Sequence, residues 1–492
     1  MSLVKKVAQN TLIQVFGKTV STVLGLFALA LITRYLGPAG FGDYTTVTTF
    51  LTVFAVMADL GLTLVTVQMI SGHHDDENSI INNLFSLRLV SAVLLLALAP
   101  LIICLFPYGP EIRFGVLITM AAFLFPALNQ IIIGLFQKKL SMDRDAGAEI
   151  FGRLVLILGI LVSKRLGAGL NGILLATVAA AGANFILHYL FALKYAVIKL
   201  EFNLSLWKKI LNKSWPLAIT IVLNLIYLRA DVIILSIFWP AAAVGLYGAT
   251  YKVIDVLTTL PFMFAGLVLP ILTAAWQEKN TAYFKKVLQK SFDFMAIVAI
   301  PLIIGAQFLA GPIMTMTAGR DFAASGTILK LLIFAVAAIF LGTMFSHAVI
   351  ALDKQRKMIG FYIFTSLSSL AAYFFFIPKY SYFGAAAITI YSEVLVAIFS
   401  AYCVFRYGKF LVSLRTSAKA LISGAVMGGF IYLFPAYYQT TLGGLIFVIL
   451  LASLIYFFTL YLMGGVKPED IEAIFKKQNK SGSATYDPNA NF

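Results

Sequence analysis

The chain is predicted to be an all-α polytopic membrane protein. It should carry about fourteen spanning helices in two pseudo-symmetric six-helix lobes, plus two C-terminal helices. Three observations carry that reading. Of 492 residues, 61% are hydrophobic and 12% charged, with a mean hydropathy of +0.93, far from a soluble globular composition. Apolar runs of about twenty residues, long enough to cross a bilayer's hydrocarbon core, recur along the whole chain. Finally, segments of the first half are echoed in the second.

The spans fall near 12–33, 44–70, 84–106, 113–136, 148–163, 170–193, 215–238, 244–269, 291–311, 325–350, 358–377, 383–405, 418–434 and 441–463. The fifth is short and leans on Lys164 and Arg165 to reach the interface. The run after Lys5 and Lys6 has no small-residue cleavage site and reads as a retained first span. Basic residues crowd the loops of one face, including Lys138, Lys139, Arg144, Lys208, Lys209, Lys285, Lys286, Arg356 and Lys409. The opposite face holds Arg34, Arg113, Lys164, Arg165, Arg320 and Lys379. Cytoplasmic loops concentrate Lys and Arg, so both termini are expected in the cytoplasm, which an even number of spans allows. The same asymmetry accounts for the net charge of +16 without a nucleic-acid partner. Residues 198–213 and 276–290 read as amphipathic helices on the cytoplasmic face. The short loops Phe106–Arg113 and Trp239–Val244 leave no room for an extracellular domain.

The repeat rests on three echoes. Leu36-Gly37-Pro38-Ala39-Gly40-Phe41-Gly42-Asp43-Tyr44 opens the second span, and Trp239-Pro240-Ala241-Ala242-Ala243-Val244-Gly245-Leu246-Tyr247 opens the eighth. Gly42 and Gly245 are 203 residues apart. Gly172 and Gly384, opening the sixth and twelfth spans, are 212 apart. Gly134–Lys138 and Ala351–Gln355 are 217 apart. Their shared order divides the chain into lobes 1–205 and 206–410, spans thirteen and fourteen at 411–465, and a cytoplasmic tail 466–492. Such repeats are typical of secondary transporters, whose substrate site lies between the halves.

No enzyme chemistry stands out. The histidines His73, His74, His188 and His347 make no metal-ligand spacing, and there is no phosphate loop of the GxxxxGK[ST] kind. His73-His74-Asp75-Asp76-Glu77 reads as a solvated loop. Cys104 and Cys403 lie in apolar runs and read as small buried hydrophobes. No cofactor or metal is expected.

What remains are charges at bilayer depth, each costing about 2.5–3.5 kcal/mol on insertion scales unless paired or wet. Asn10, Gln14 and Lys18 share one face of the first span, a polar stripe with a cation or, alternatively, helix glue. Thr48 and Thr52 line the second span on the face that carries Asp59, which is either a coupling acid or half of an ion pair. In the seventh, Asn224, Tyr227 and Asp231 share a face, while Arg229 points away from Asp231. In the eighth, Lys252 and Asp255 are one turn apart. Arg229 and Lys252 in adjacent spans suit a diphosphate, the first as a planar fork and the second as a point charge. Interhelical bridges Arg229–Asp255 or Lys252–Asp231 are the alternative. Glu149 and Arg153 read as an i, i+4 pair, and Glu393 is the lone acid of the twelfth span, placed to carry a proton.

The pattern Asn10…Gly25…Arg34-Tyr35-Leu36-Gly37…Gly42-Asp43-Tyr44…Asp59-Leu60-Gly61-Leu62 resembles the start of bacterial polysaccharide exporters. The segment Arg229-Ala230-Asp231…Val244-Gly245-Leu246-Tyr247…Tyr251-Lys252 resembles their second lobe. This is the O-antigen flippase type of the multidrug/oligosaccharidyl-lipid/polysaccharide exporter superfamily. The resemblance implies a cavity alternating between membrane faces and an undecaprenyl-diphosphate-linked oligosaccharide moved across the cytoplasmic membrane. It implies a cationic lumen, carried over to Lys18, Arg153, Arg229 and Lys252. Asn10, Gln14, Thr48, Thr52, Asn224 and Tyr227 would be its polar lining, and Asp59, Asp231, Asp255 and Glu393 the coupling or gating acids. Its partners would be the lipid-linked glycan, the bilayer and the polymerase and chain-length machinery. The rival readings are a lipid II flippase and a multidrug/cation antiporter; the intramembrane Lys and Arg argue against the latter.

Overall fold

In a computed structural model of the protein, described for residues 3–59, 61–63, 66, 69 and 77–465, twelve helices are long and apolar enough to cross a membrane. The loop residues 73–76, the tail 466–492 and much of the far end of the second span lie outside the described residues. The helices are α1 (Leu3–Asp59), α2 (Glu77–Ile102), α3 (Pro110–Lys139), α4 (Met142–Arg165), α5 (Gly169–Ala192) and α6 (Leu204–Phe238). They continue with α7 (Ala241–Gln277), α8 (Thr281–Ala318), α9 (Ser325–Ala351), α10 (Gln355–Gly408), α11 (Arg415–Leu433) and α12 (Leu442–Leu462).

Two of these are too long for one crossing. A 57-residue α1 would run about 85 Å, against roughly 30 Å of hydrocarbon. It bends at Gly37, whose φ of 66° and ψ of 179° suit glycine alone, and Pro38 next to it withholds a backbone donor. The 54-residue α10 bends likewise at Ser381, with φ 54°. Each holds two of the expected spans, so the sequence pattern and the helices agree. The segments read as surface helices differ. Residues 204–213 are the continuous first turns of α6, and 281–290 those of α8.

The chain divides into two compact units: residues 1–257, 314–332 and 357–396 in one, and 258–313, 333–356 and the chain from 397 in the other. Within the second, small residues permit close helix approach, as lipid-embedded helices require. Gly424 and Gly428 of α11 face Ile304 and Phe308 of α8, and the Tyr456 hydroxyl donates to the Ile297 carbonyl at 2.8 Å. Apolar cores of the first, among the described residues, gather around Leu84, Ile132 and Phe136 and around Phe50, Leu51 and Val116. Large apolar side chains such as Leu94, Leu101 and Leu158 are exposed, at 63%, 69% and 62%. On this scale such exposure fits a lipid solvent, and the protein is a multi-pass membrane protein.

The first unit also contains a reciprocal crossing. A Cβ on Gly42 would lie 1.7 Å from the Ala241 carbonyl oxygen, and one on Gly245 would lie 1.9 Å from that of Pro38. At the 203-residue offset Gly42 corresponds to Gly245 and Pro38 to Ala241. Each contact is therefore the other's image under a two-fold. Thr45 corresponds to Gly248 at the same offset, and these two touch each other: a Gly248 Cβ would meet Thr45 Cγ2 at 2.6 Å. Farther in, Tyr44 bonds Thr177 and Tyr247 lies 3.4 Å from Thr389, tyrosines and threonines again in corresponding places.

A polar strap joins the segment after α5 to α2. Side chains of Asn82, Ser79 and Asn83 donate to the Glu201 carboxylate at 2.7, 2.9 and 3.2 Å. In return, backbone N–H groups of Lys199, Glu201 and Asn203 donate to Asn82, Ser86 and Asn83. These bonds, Asn82 foremost and then Ser79, hold the Glu201 carboxyl below its usual range.

Two outcomes follow from this packing. Gly42→Val or Gly245→Val drives a side chain into a backbone carbonyl. Each should destabilise the purified protein by about 1–3 kcal/mol or more, read as lost thermal stability in detergent, whereas Gly147→Ala, with open space at its Cβ, should not. A carboxyl lowered on folding stabilises above its unfolded value of about 4.3 and loses that contribution as pH falls through the lowered value. Wild type should thus melt above Glu201→Gln at pH 7, with the gap closing below about pH 4.

Candidate functional site

A cavity of about 420 Å³ opens among α1, α3, α4 and α5. Close helix approach shapes it. A Cβ on Gly17 would meet that of Ala146 at 2.3 Å, and one on Gly152 that of Asn184 at 2.9 Å. On α4, Asp145, Glu149 and Arg153 fall on one face at four-residue spacing and all line the cavity. Lys18 bonds Glu149 at 3.1 Å, and His188 Nε2 lies 3.0 Å from Asp145. The Asn129 amide donates to the Asn184 side-chain oxygen at 2.6 Å, and the Asn184 amide to the Ala148 carbonyl. The buried Asn129 Oδ1 has no partner among the described residues, leaving an acceptor inside a polar cavity.

In the same unit, Arg229 of α6 bonds Asp255 of α7 at 3.1 Å and lies 5.4 Å from the centroid of the Tyr251 ring. Lys252, one residue past that tyrosine, lies within coulombic range of Asp255, Arg229 and Arg153. Arg153 donates to Ser21 at 3.4 Å, and neither it nor Lys252 pairs with a carboxylate among the described residues. Arg153 of α4 and Arg229 of α6 thus both lie within coulombic range of Lys252 of α7, while Asp255 pairs with Arg229 and Asp231 lies within coulombic range of that arginine as well.

Asp231 is wholly buried and forms no ion pair among the described residues, though Arg229 lies within coulombic range. Tyr247 and Tyr251 hydroxyls donate to it at 2.7 and 2.6 Å, the Val232 N–H at 2.7 Å, and Thr389 at 3.3 Å. A carboxylate with that many donors is compensated without a counter-ion. Glu393 is buried, within coulombic range of Tyr227 and Tyr373, and makes no hydrogen bond or ion pair among the described residues. The Tyr227 hydroxyl donates to Asn224, and Tyr373 donates to the Tyr227 carbonyl at 2.8 Å.

Other expected positions resolve differently. Asn10 accepts from the Met142 N–H at 2.9 Å, satisfying an orphan donor at the start of α4. Gln14 is exposed and does not line the cavity. Thr48 and Thr52 donate to carbonyls of their own helix, the local bond that competes with bonds across helices. Glu149 and Arg153 do not form the expected i, i+4 pair, because Lys18 reaches Glu149 across the helix interface. Asp59 takes the ion-pair alternative: the buried Arg88 sits 2.5 Å from its carboxylate and bonds its carbonyl and that of Ala127, with Thr63 donating to the same acid. Arg229–Asp255 forms as well, while Asp231 turns to tyrosines instead of Lys252.

Arg88, Asp145, Asn129, Asn184 and His188 escaped the sequence reading. For Arg88, Asn129, Asn184 and His188 a signal was present, since each is a polar residue in an apolar run, whereas Asp145 sits in a polar stretch. Their partners lie up to 55 residues away, on neighbouring helices whose register no local pattern reveals.

The chain matches the family model described as polysaccharide biosynthesis protein over residues 7–276. It is 25% identical to the capsular polysaccharide biosynthesis protein CapF of Staphylococcus aureus over 324 residues, 64% of this chain and 81% of that one. It is 23% identical over 411 residues to a protein described as an O-antigen transporter from Shigella flexneri, covering 78% and 94% of the two chains. Among solved structures, the lipid II flippase MurJ in an inward closed conformation superposes with a TM-score of 0.74 at 18% identity, covering 95% of this chain and 99% of that one. With more than half of its length matched by the family model, the chain belongs to the polysaccharide biosynthesis protein family.

Proposed function

We propose that the protein is a flippase that moves an undecaprenyl-diphosphate-linked oligosaccharide across the cytoplasmic membrane by alternating access. The observation that carries this reading is the gathering of Arg153, Arg229 and Lys252, two of them without a carboxylate partner. Like charges held together at bilayer depth repel and are costly, and a diphosphate group neutralises them. Arg229 and Arg153 supply forks for phosphate oxygens and Lys252 a point charge. The polar side chains lining the adjoining cavity, Gln130 and Asn184 among them, offer hydrogen bonds to sugar hydroxyls, while the polyprenyl tail stays in lipid.

The lobes 1–205 and 206–410 would be the pseudo-symmetric halves, and the two-fold relation of the Gly42 and Gly245 contacts supports that pairing. Both termini would face the cytoplasm. Of the coupling acids, Glu393 and Asp231 are free of a basic partner and suit a proton or cation. Asp255 holds Arg229 in place, and Asp59 serves structure through Arg88. No step of bond making or breaking is assigned to any residue, and the protein acts as a transporter. The similarity to CapF and to the O-antigen transporter favours a capsule or O-antigen repeat unit. A lipid II substrate is the second reading, favoured by the superposition on MurJ.

Deleting the gene should trap lipid-linked glycan in the inner leaflet, and mass spectrometry of that lipid decides between the two substrates. Arg229→Ala combined with Lys252→Ala, at normal expression, should lower surface glycan at least about tenfold, since each lost charge-assisted bond is worth about 1.5–3 kcal/mol. Unchanged export would overturn the cationic site. Asp59→Ala should lower stability by about 3–5 kcal/mol through an orphaned Arg88. The double variant Asp59→Asn/Arg88→Gln should regain fold and transport, and a stable but inactive double variant would return Asp59 to the coupling acids.

A further inference from the structure

On α7, Tyr247, Tyr251 and Asp255 follow one another at four-residue spacing, which stacks them on one face of a helix. Each finds its partner on α6. Tyr247 and Tyr251 donate to the Asp231 carboxylate at 2.7 and 2.6 Å, and Asp255 accepts from Arg229 at 3.1 Å. The row runs from dry to wet. Asp231 is 0% exposed, whereas the side chains of Arg229 and Asp255 are 31% and 42% exposed. Tyr251 stands in the middle and touches both ends. Its hydroxyl is on Asp231, and its ring centroid lies 5.4 Å from the Arg229 guanidinium carbon, within the range of a cation–π contact.

That double contact links two residues that α6 itself keeps apart. Arg229 and Asp231 are two positions apart and project in nearly opposite directions from the helix axis. An arginine side chain is long and rich in rotamers, and its planar fork orients a phosphate only where something holds the plane. Here Asp255 holds Nη2 and the ring of Tyr251 backs the guanidinium. The ring is tied in turn, because its hydroxyl ends on an acid that also accepts from Tyr247, Thr389 and the Val232 N–H. Nε and Nη1 of Arg229 make no hydrogen bond among the described residues, and they are the donors left for an anion.

We propose that Tyr251 is a positioning residue of the anion site, through which the buried Asp231 fixes the plane of the Arg229 guanidinium without meeting the substrate itself. The inference rests on the reading of the substrate as a diphosphate anion. It gives Asp231 a task separate from any proton or cation it carries. A guanidinium set in place beforehand loses less side-chain freedom when the anion arrives, so the site binds more tightly than its charges alone would allow.

The test uses the full-length protein in nanodiscs with inorganic pyrophosphate as probe, its dissociation constant measured at a single pH. Tyr251→Phe keeps the ring and removes its tie to Asp231. It should bind about fivefold more weakly than wild type, the size of a cation–π contact at a partly exposed site. In an Arg229→Gln background, where Arg153 and Lys252 still attract the probe, the same change should have no further effect, because the group it positions is gone. Asp231→Asn and Asp231→Ala both remove the charge and differ in the acceptor they offer the hydroxyl, so the first should bind more tightly than the second. A tyrosine that merely supported the fold would act alike in both backgrounds. Equal losses from Tyr251→Phe with and without Arg229 therefore overturn the inference, as does an unchanged dissociation constant in Tyr251→Phe, and neither result needs an Asp231 variant to fold. If wild type does not bind pyrophosphate, the diphosphate reading falls. The same pair of backgrounds is then compared by surface glycan in cells, where equal losses overturn the positioning role.

Discussion

The arrangement depends on a backbone contact that only two glycines permit. Where the second half of α1 meets α7, Gly42 and Gly245 each lie against a carbonyl oxygen of the other segment at a separation no side chain could tolerate. That approach brings Thr45 onto Gly248 and lets the faces beyond it converge. One turn on come Tyr247 and Tyr251, which hold Asp231, and then Lys252, which meets the field of Arg153 and Arg229. The proposed cationic site, drawn from α4, α6 and α7, would depend on that joint.

Away from that joint, most buried charges of the described residues find partners, as a membrane interior demands. Buried charges are answered in three ways. Arg88 and Asp59 form an ion pair stitched to two carbonyls. Asp231 is surrounded by hydroxyls. The acids of α4 face a cavity and basic partners. The one buried acid with no such answer among the described residues is Glu393, which sets it apart from Asp231 and Asp59.

The all-helical, multi-spanning class was legible in the sequence because the bilayer imposes a length and a polarity that local composition records directly. So were the charges, and the seventh-span geometry correctly kept Arg229 and Asp231 apart. Pairing was not legible. Glu149 looked tied to Arg153 because helical spacing is visible in one dimension, yet Lys18, 131 residues away, is the actual partner. Arg88 was hidden by its apolar neighbours, and His188 by the lack of any metal-ligand spacing. Threonines on one face of α1 suggested a lumen, though a hydroxyl beside its own helix carbonyl is already satisfied. The missing information is helix register, which emerges only from packing.

The crossing also bears on how the chain has diverged. Each glycine presses on a main-chain oxygen, an atom that every amino acid supplies, so Pro38 and Ala241 occupy matching places without sharing a side chain. Drift at almost every site of the two halves is therefore invisible to the joint, while drift at the glycines is not. An ancient duplication preserved in this way would fade from the sequence nearly everywhere and persist as a pair of small residues, which is the faint echo this chain retains.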